Sequence, residues 1–302
     1  MKDHLVKAVA DGVRVYAAVT TDLVNEAIRR HGCHPVAAAA LGRTMTGALL
    51  LAANLKNREA LTVTFDGHGP LGKVTADATP EGFVRGYVTN PYVDLPQNAK
   101  GKIDVGGGVG TDGTVTVTRF TGLRNPVTGS APLTDGEIAD DLTKYLYVSE
   151  QTPSSVGLGV LIGHAGEEMA CIGAGGFIIQ PMPDATDETI DKLEANLKKV
   201  NSVSHMVEHG LDAKGIIAEL LQGFEVDYLT TTELAFRCPC SKERISEVLL
   251  SLGQSDLESL IEDGHAEVCC HFCNERYQFS KEELQAIYDK ALTHGPLSGM
   301  LK

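Results

Sequence analysis

Short apolar runs broken by glycine and turn residues fill the first 180 positions, a pattern typical of strands and helices packed into one domain. Two β-prone runs, at 5–9 and 13–19, flank Asp11-Gly12 and predict a hairpin. A helix is predicted from position 21 or 22 to position 30, with Gly32 after it as a C-terminal stop. The alanine- and leucine-rich stretch at 35–55 predicts a second helix, buried and packed closely on a sheet.

Mainly strands are predicted beyond position 60. Threonines alternate with Val115 and Val117, as in a strand that is buried on one face only. The predicted strands lie at 61–65, 72–76, 82–88, around 115–117, and at 155–162 and 169–179, with a helix at 137–145. We therefore expect residues 1–180 to form an N-terminal domain of mixed sheet and helix, so that the fold class is α+β.

A glycine-rich stretch at 106–113 formally matches the dinucleotide fingerprint G-x-G-x-x-G through Gly108, Gly110 and Gly113. That fingerprint requires a helix directly after the loop, where it binds the pyrophosphate. A threonine- and valine-rich strand follows here instead. We therefore interpret the stretch as a glycine-rich turn and expect no nucleotide site.

Residues 181–231 differ in charge and periodicity from the domain before them. Between Asp184 and Glu233 there are eleven acidic and four basic residues, a net charge of −7. Apolar positions at helical spacing form two groups, Ile190, Leu193, Leu197 and Val200, then Ile216, Ile217, Leu220 and Leu221. One interpretation is a pair of amphipathic helices packed on the first domain. The other is an acidic helical linker of marginal stability, held folded by its neighbours, because short helices depend on tertiary packing.

Five of the seven cysteines lie within 36 residues, as Cys238-Pro239-Cys240 and Cys270-His271-Phe272-Cys273 with Cys269 alongside. Two close pairs separated by one short module can bring four sulfurs to one point, and four thiolates suit tetrahedral Zn²⁺. Buried free thiols are an alternative, since cysteine packs well in cores. Secreted disulfides suit shorter, exported chains. The pattern favours one zinc ion per chain, held in the reduced form by Cys238, Cys240, Cys270 and Cys273.

The first pair has an unusually short C-x-C spacing. A Cys238–Cys240 disulfide closes a very small ring, and strained bridges are the labile, regulatory ones. The four sulfurs could therefore hold zinc when reduced and form local bridges when oxidised. Since neighbouring side chains on a strand point to opposite faces, Cys269 is expected to point away from the metal as a spare thiol.

Residues 232–302 predict a small zinc-binding module with little core of its own. Its predicted elements are a helix capped by Ser241, a helix with a Ser255/Glu258 capping box, strands at 265–271 and 277–279, and a helix with a Ser280/Glu283 capping box. At this size, metal binding would supply much of the folding free energy. Removal of zinc is therefore expected to unfold the module.

Charge and hydropathy exclude several classes of protein. The net charge of −14 and the pI near 5.1 disfavour nucleic acid and anionic membranes as partners. The N-terminus has no apolar run of signal-peptide length, and the most apolar stretch, at 45–55, falls short of a membrane span of roughly 20 residues. We expect a cytoplasmic protein, where clustered cysteines favour metal or redox chemistry.

The cysteine segments resemble a known family. The stretches 236–244 and 270–277 are similar to the C-terminal zinc module of the 33 kDa heat shock protein family, redox-regulated chaperones of the bacterial cytosol. The resemblance extends back to 149–154 and 175–180 and covers almost the whole chain. The adjacent Cys269 departs from the family pattern of four cysteines.

The resemblance implies an ATP-independent holdase that is zinc-bound and inactive when reduced. Oxidation is expected to form the bridges Cys238–Cys240 and Cys270–Cys273 and to release zinc. The module would then unfold, loosen the linker and expose apolar faces to unfolded or oxidatively damaged client proteins. The family also implies a homodimer in the oxidised form.

Two other functions remain open from the sequence. A thiol oxidoreductase would use a cysteine pair on substrates, although no thioredoxin-like C-x-x-C lies near a βαβ pattern. A static zinc-ribbon interaction module would keep its metal under mild peroxide. No catalytic triad or nucleophile elbow stands out, so we expect a binding protein and not an enzyme. Cys33 and His34 receive no role.

Overall fold

The computed structural model of the chain describes residues 1–56 and 58–294. It has two compact units, Met1–Arg237 and a second that begins at Cys238. Mixed sheets and helices confirm the α+β class. The units divide six residues later than the sequence suggested, because Asp227–Glu233 and Ala235–Phe236 are strands that pair within the first unit.

The elements of the first unit follow in chain order. They are β1 (His4–Ala10), β2 (Val13–Val19), α1 (Thr21–His31), α2 (Pro35–Ala52), β3 (Ala60–Asp66), β4 (Val74–Ala78), β5 (Phe83–Val88), α3 (Val105–Val109), β6 (Thr114–Phe120), β7 (Val127–Pro132), α4 (Ala139–Val148), β8 (Ser155–Ala165), β9 (Glu168–Pro181), α5 (Asp187–Leu197), α6 (Val203–Glu208), α7 (Ala213–Leu220), β10 (Asp227–Glu233) and β11 (Ala235–Phe236). The second unit contains α8 (Lys242–Leu249), α9 (Gln254–Asp263), β12 (His265–Cys269), β13 (Arg276–Ser280) and α10 (Lys281–His294).

Two sheets form the framework of the first unit. The first sheet has the order β10-β1-β2-β9-β8 and is antiparallel throughout, and the second has the order β11-β5-β4-β3-β6-β7. The predicted hairpin at Asp11-Gly12 is confirmed, since Ala10 pairs with Val13. Asp11 and Gly12 both have positive φ, 39° and 77°, which the Asp-Gly sequence favours.

Helix α2 lies between the two sheets and forms the centre of the main core. It contacts β3, β4 and β5 on one side and β2, β8 and β9 on the other. A Cβ added at Gly42 would lie 2.9 Å from the Val160 side chain, so glycine permits the close packing that the sequence predicted. By length and composition α2 could cross a membrane, yet 89% of it is buried inside the protein, as in a core helix.

Helices α5, α6 and α7, here called the linker helices, cover the opposite face of the first sheet. The side chains of β1 and β2 alternate, so that one set joins the core around α2 and the other joins a second core with the linker helices. This second core includes Val6, Ala8, Val13, Val15, Ala17, Val19, Phe177 and Ile179 from the sheet, and Leu193, Val203, Met206, Val207, Ile216, Ile217 and Leu220 from the helices. The acidic segment is therefore packed on the first unit in this structure.

Glycines in β8 and β9 allow α6 to lie very close to the sheet. A Cβ on Gly159 would lie 2.6 Å from the backbone nitrogen of Ser204 in α6. A Cβ on Gly173 would clash with the carbonyl oxygen of Ser204. Any larger residue at either position would force the helix or the strand to move.

Three details of the sequence prediction are wrong. Part of the glycine-rich stretch is the short helix α3, because the Asp104 side chain accepts a hydrogen bond from the backbone of Gly107 at 3.0 Å. Ser255 does not cap α9, since extended Gly253 takes that position. Strands β7 and β10 escaped prediction because they lie at sheet edges and are largely exposed, so neither has a clear apolar face.

Candidate metal centre

The first cysteine pair lies between β11 and α8. Ser241 caps α8 as predicted, and its side chain accepts a hydrogen bond from the backbone of Arg244 at 3.3 Å. The Arg244 guanidinium reaches back and donates to the carbonyl of Pro239 at 2.8 Å. These contacts fix the Cys238-Pro239-Cys240 segment against the start of the helix.

The second pair lies in the turn between β12 and β13. The backbone N–H of Cys270 donates to the carbonyl of Glu275, and that of Asn274 donates to the carbonyl of Cys270, both at 2.8 Å. Asn274 has φ of 57°, a left-handed conformation that asparagine tolerates well. The turn therefore closes tightly and directs both sulfurs to one side.

The four sulfurs of Cys238, Cys240, Cys270 and Cys273, here called the cysteine cluster, lie within 4.8 Å of one another. Cys238 Sγ is 3.8 Å from Cys270 Sγ, and Cys240 Sγ is 3.2 Å from Cys273 Sγ. Four sulfurs at about 2.3 Å from a tetrahedral zinc ion are about 3.8 Å apart. The cluster therefore has donors of the right type, number and approximate spacing to hold a metal ion.

The electrostatics of the cluster favour a cation. Burial raises the pKa of the Cys240 and Cys273 thiols, and contacts with neighbouring sulfurs raise it further, against opposing hydrogen bonds. Four thiolates at this distance repel one another, so the ionised form needs a positive charge between them. A divalent cation supplies that charge and deprotonates coordinating thiols.

Tyr277 is a neighbour of the cluster that the cysteine pattern does not indicate. Its hydroxyl donates a hydrogen bond to Cys240 Sγ at 3.1 Å, and this contact raises the pKa of the Tyr277 phenol. Hydrogen bonds of this kind orient metal ligands and tune their donor strength. Tyr277 lies 37 residues after Cys240 in the chain, so the sequence gives no local signal of this contact.

The remaining cysteines lie outside the cluster. Cys269 is exposed, and its thiol donates to the Asn274 side chain at 3.1 Å. Cys33 and Cys171 are buried in the core of the first unit, and burial raises the pKa of each to about 12. At neutral pH these two thiols are protonated and poor nucleophiles.

The core of the second unit is small. The described residues contribute seven buried apolar side chains, Leu249, Leu257, Ala266, Phe279, Leu284, Ile287 and Ala291. The Ser280/Glu283 capping box is confirmed. The backbone N–H of Ser280 donates to the Glu283 carboxylate at 3.0 Å, and the backbone N–H of Glu283 donates to the Ser280 hydroxyl at 3.4 Å. A unit with so small a core would gain a large share of its stability from a bound metal ion.

The fold and the site together define an α+β protein with a four-cysteine centre able to hold a metal. Comparison with known proteins gives the family. The sequence model described as "Hsp33 protein" matches residues 3–280. The chain is 50% identical over 291 residues to the 33 kDa chaperonin of Bacillus subtilis, covering 95% of this chain and 99% of the relative.

Two further relatives agree. The 33 kDa chaperonin of Staphylococcus carnosus is 47% identical over 96% of this chain and 98% of its own length. The crystal structure of the 33 kDa chaperonin (heat shock protein 33 homolog) from Thermotoga maritima matches with a TM-score of 0.88 and 34% identity, over 97% of this chain and 99% of that chain. The chain therefore belongs to the Hsp33 family, which supports a chaperone function.

Proposed function

We propose that this chain is an ATP-independent holdase of the cytosol, inactive while its cysteine cluster holds one Zn²⁺ and active after oxidation. The convergence of four thiols in a unit with a small core is the observation that carries the proposal. A reducing compartment keeps such thiols available for metal. In this proposal the protein binds other proteins and catalyses no reaction.

Oxidation acts on the thiolates. One cysteine sulfur attacks peroxide and becomes a sulfenic acid, and a second thiol displaces its hydroxyl to form a disulfide. Each bridge removes two electrons from two thiols and reduces one peroxide to two waters. Four cysteines converted to two bridges can no longer act as four thiolate ligands, so the ion is released.

The family resemblance supports the bridges Cys238–Cys240 and Cys270–Cys273. Two sulfur contacts in the structure lie across the pairs, 3.2 Å between Cys240 and Cys273 and 3.8 Å between Cys238 and Cys270. Peptide mapping after peroxide distinguishes the two arrangements. We expect the local bridges to dominate, with Cys269 absent from the main products.

Loss of the metal is proposed to release the linker helices from the first sheet. Cys238 follows directly on Arg237, whose backbone donates to the carbonyl of Val84 at 2.8 Å, and β10 and β11 precede it in the same segment. If the second unit unfolds, the chain directly after β10 and β11 is therefore no longer folded, and the linker helices just before these strands lose that support. The helices are short, so they depend on their packing.

The face under the linker helices is a suitable surface for unfolded clients. Nine apolar side chains of β1, β2 and β9 lie there, none more than 6% exposed while the helices cover them. Unfolded or oxidatively damaged proteins expose apolar segments that such a face can bind. The negative charge of the linker would keep the opened form soluble, and a homodimer is the proposed oxidised state.

The experiment follows zinc content and client aggregation together during peroxide treatment. Zinc release with a matching rise in the suppression of aggregation supports the proposal. Retained zinc with unchanged activity favours a static zinc ribbon. Catalytic disulfide exchange on substrates, at protein concentrations far below those of the substrate, favours a thiol oxidoreductase.

A further inference from the structure

We infer that helix α6 carries a second metal site, made by His205, Glu208 and His209, which binds a borderline divalent cation such as Zn²⁺ or Ni²⁺. One ligand atom from each of the three residues lies within 4.8 Å of the others. His205 and Glu208, at i and i+3, lie on one face of the helix, and His209 is the residue that directly follows its end. The site lies in the first unit and shares no residue with the cysteine cluster.

The three side chains already converge without a cation. His205 Nδ1 lies 3.0 Å from Glu208 Oε2, and His209 Nδ1 lies 3.8 Å from the same oxygen. His209 Nδ1 is also 2.7 Å from the carbonyl oxygen of His205. A carbonyl only accepts, so Nδ1 of His209 donates this hydrogen bond, and in the neutral ring Nε2 is the nitrogen with the lone pair for a metal ion.

The donor set selects the cation. Two imidazoles and one carboxylate suit zinc, nickel and copper, whereas calcium and magnesium prefer oxygen ligands throughout. The imidazole rings are 6.5 Å apart between centroids. Side-chain exposures of 56% for His205 and 74% for His209 leave the rings free to rotate onto one ion.

The surroundings can complete the coordination shell. A cavity of about 490 Å³ adjoins both histidines and is also lined by Asn201, Ser202 and Glu219. Water in this cavity would fill the positions that three protein ligands leave open. The site is open to solvent, so we expect reversible binding.

A cation at this site would stabilise the packed state of the linker. The opposite face of α6 is buried, with Val203, Met206 and Val207 in the core over the first sheet. The three ligands lie together only while the segment is helical, so the ion binds the folded segment in preference to the opened one. Binding therefore lowers the population of the opened form by a factor of 1 + [L]/Kd. This regulatory role rests on the proposed function, whereas the metal site itself does not.

The test titrates Ni²⁺ into the full-length, reduced protein with its cysteine cluster loaded with zinc. We expect one nickel equivalent to bind beyond the zinc, and His209→Ala or His205→Ala to weaken nickel binding at least about 10-fold. The matched control is His164→Ala, which removes another exposed histidine of the first unit. Zinc content shows that each variant retains its folded second unit.

Amide hydrogen exchange in α6 and α7 tests the consequence for the linker. At a nickel concentration of ten times Kd, exchange through local opening should slow about 10-fold in the unsubstituted protein and not in His209→Ala. The absence of a nickel equivalent beyond the zinc, or equal weakening by His164→Ala, overturns the site. Binding without slower exchange overturns its stabilising role, and neither result bears on oxidation of the cysteine cluster.

Discussion

Replacing Gly159 by alanine should lift helix α6 from the first sheet while leaving the cysteine cluster intact. The new Cβ would lie 2.6 Å from the backbone nitrogen of Ser204 and 3.0 Å from its Cβ. Both neighbours belong to the short helix, so no side-chain rotation relieves the contact. Overpacking of this kind costs about 1–3 kcal/mol. If α6 takes up that cost, its opened population rises about 5- to 150-fold.

The assay is hydrogen exchange of α6 and α7 in the reduced, zinc-loaded protein, with client aggregation measured in parallel. Exchange should accelerate by that factor, and part of the holdase activity should appear without oxidant. Gly163→Ala is the matched control, since it lies in the same strand and the three atoms nearest to its added Cβ all belong to the Ile172 side chain, the terminal methyl at 2.8 Å. Ile172 is 38% exposed and can move aside.

Two results would refute this reasoning. Equal exchange rates in the Gly159 and Gly163 variants would show that the close approach does not control the packing of α6. Faster exchange with activity still at the reduced, zinc-bound level would show that opening of the linker helices is not what exposes the client surface.

Three further predictions address the metal centre and the N-terminus. Cys240→Ser removes a zinc ligand, so it should weaken zinc binding more than about 100-fold, which exceeds the usual effect of removing a residue that only contacts a ligand. Cys171→Ser should retain one zinc per chain by elemental analysis. Tyr277→Phe removes the hydroxyl that bonds Cys240, so zinc affinity measured by chelator competition should fall about 10- to 100-fold with the fold retained. Burial raises the pKa of Asp3 to about 6, so this carboxyl favours folding below about pH 4 and loses that contribution, on the order of 3 kcal/mol, as pH rises through about 6. Urea unfolding of Asp3→Asn across this range should lack that component, and an unchanged pH profile would contradict the assignment.

The sequence predicted the features that depend on interactions between residues close together in the chain. The hairpin at Asp11-Gly12, the stop of α1 at Gly32 and the cap at Ser241 each depend on residues within a few positions of one another. The cysteine cluster was predictable for a similar reason. The two cysteines of each pair are close in sequence, so the chain has to bring only two short segments together.

Features that depend on distant pairing were not predictable in the same way. Strand β10 has a largely exposed, threonine-rich sequence and forms only because β1 offers it an open edge. The division after Arg237 follows from that pairing. Tyr277 on β13 contacts Cys240, which lies 37 residues earlier in the chain. Helix α6 comes close to the sheet because β8 and β9 have glycines there, and the sequence alone shows these glycines only as interruptions of a strand.

The central claim is that release of zinc from the cysteine cluster turns on client binding. The most direct measurement follows zinc release with a colorimetric chelator and aggregation of a heat-unfolded client in the same peroxide time course. We predict loss of one zinc per chain and a rise in protection with the same half-time, both reversed by thiol reductant with zinc. Full protection while zinc remains bound, or complete zinc release without protection, would contradict the account.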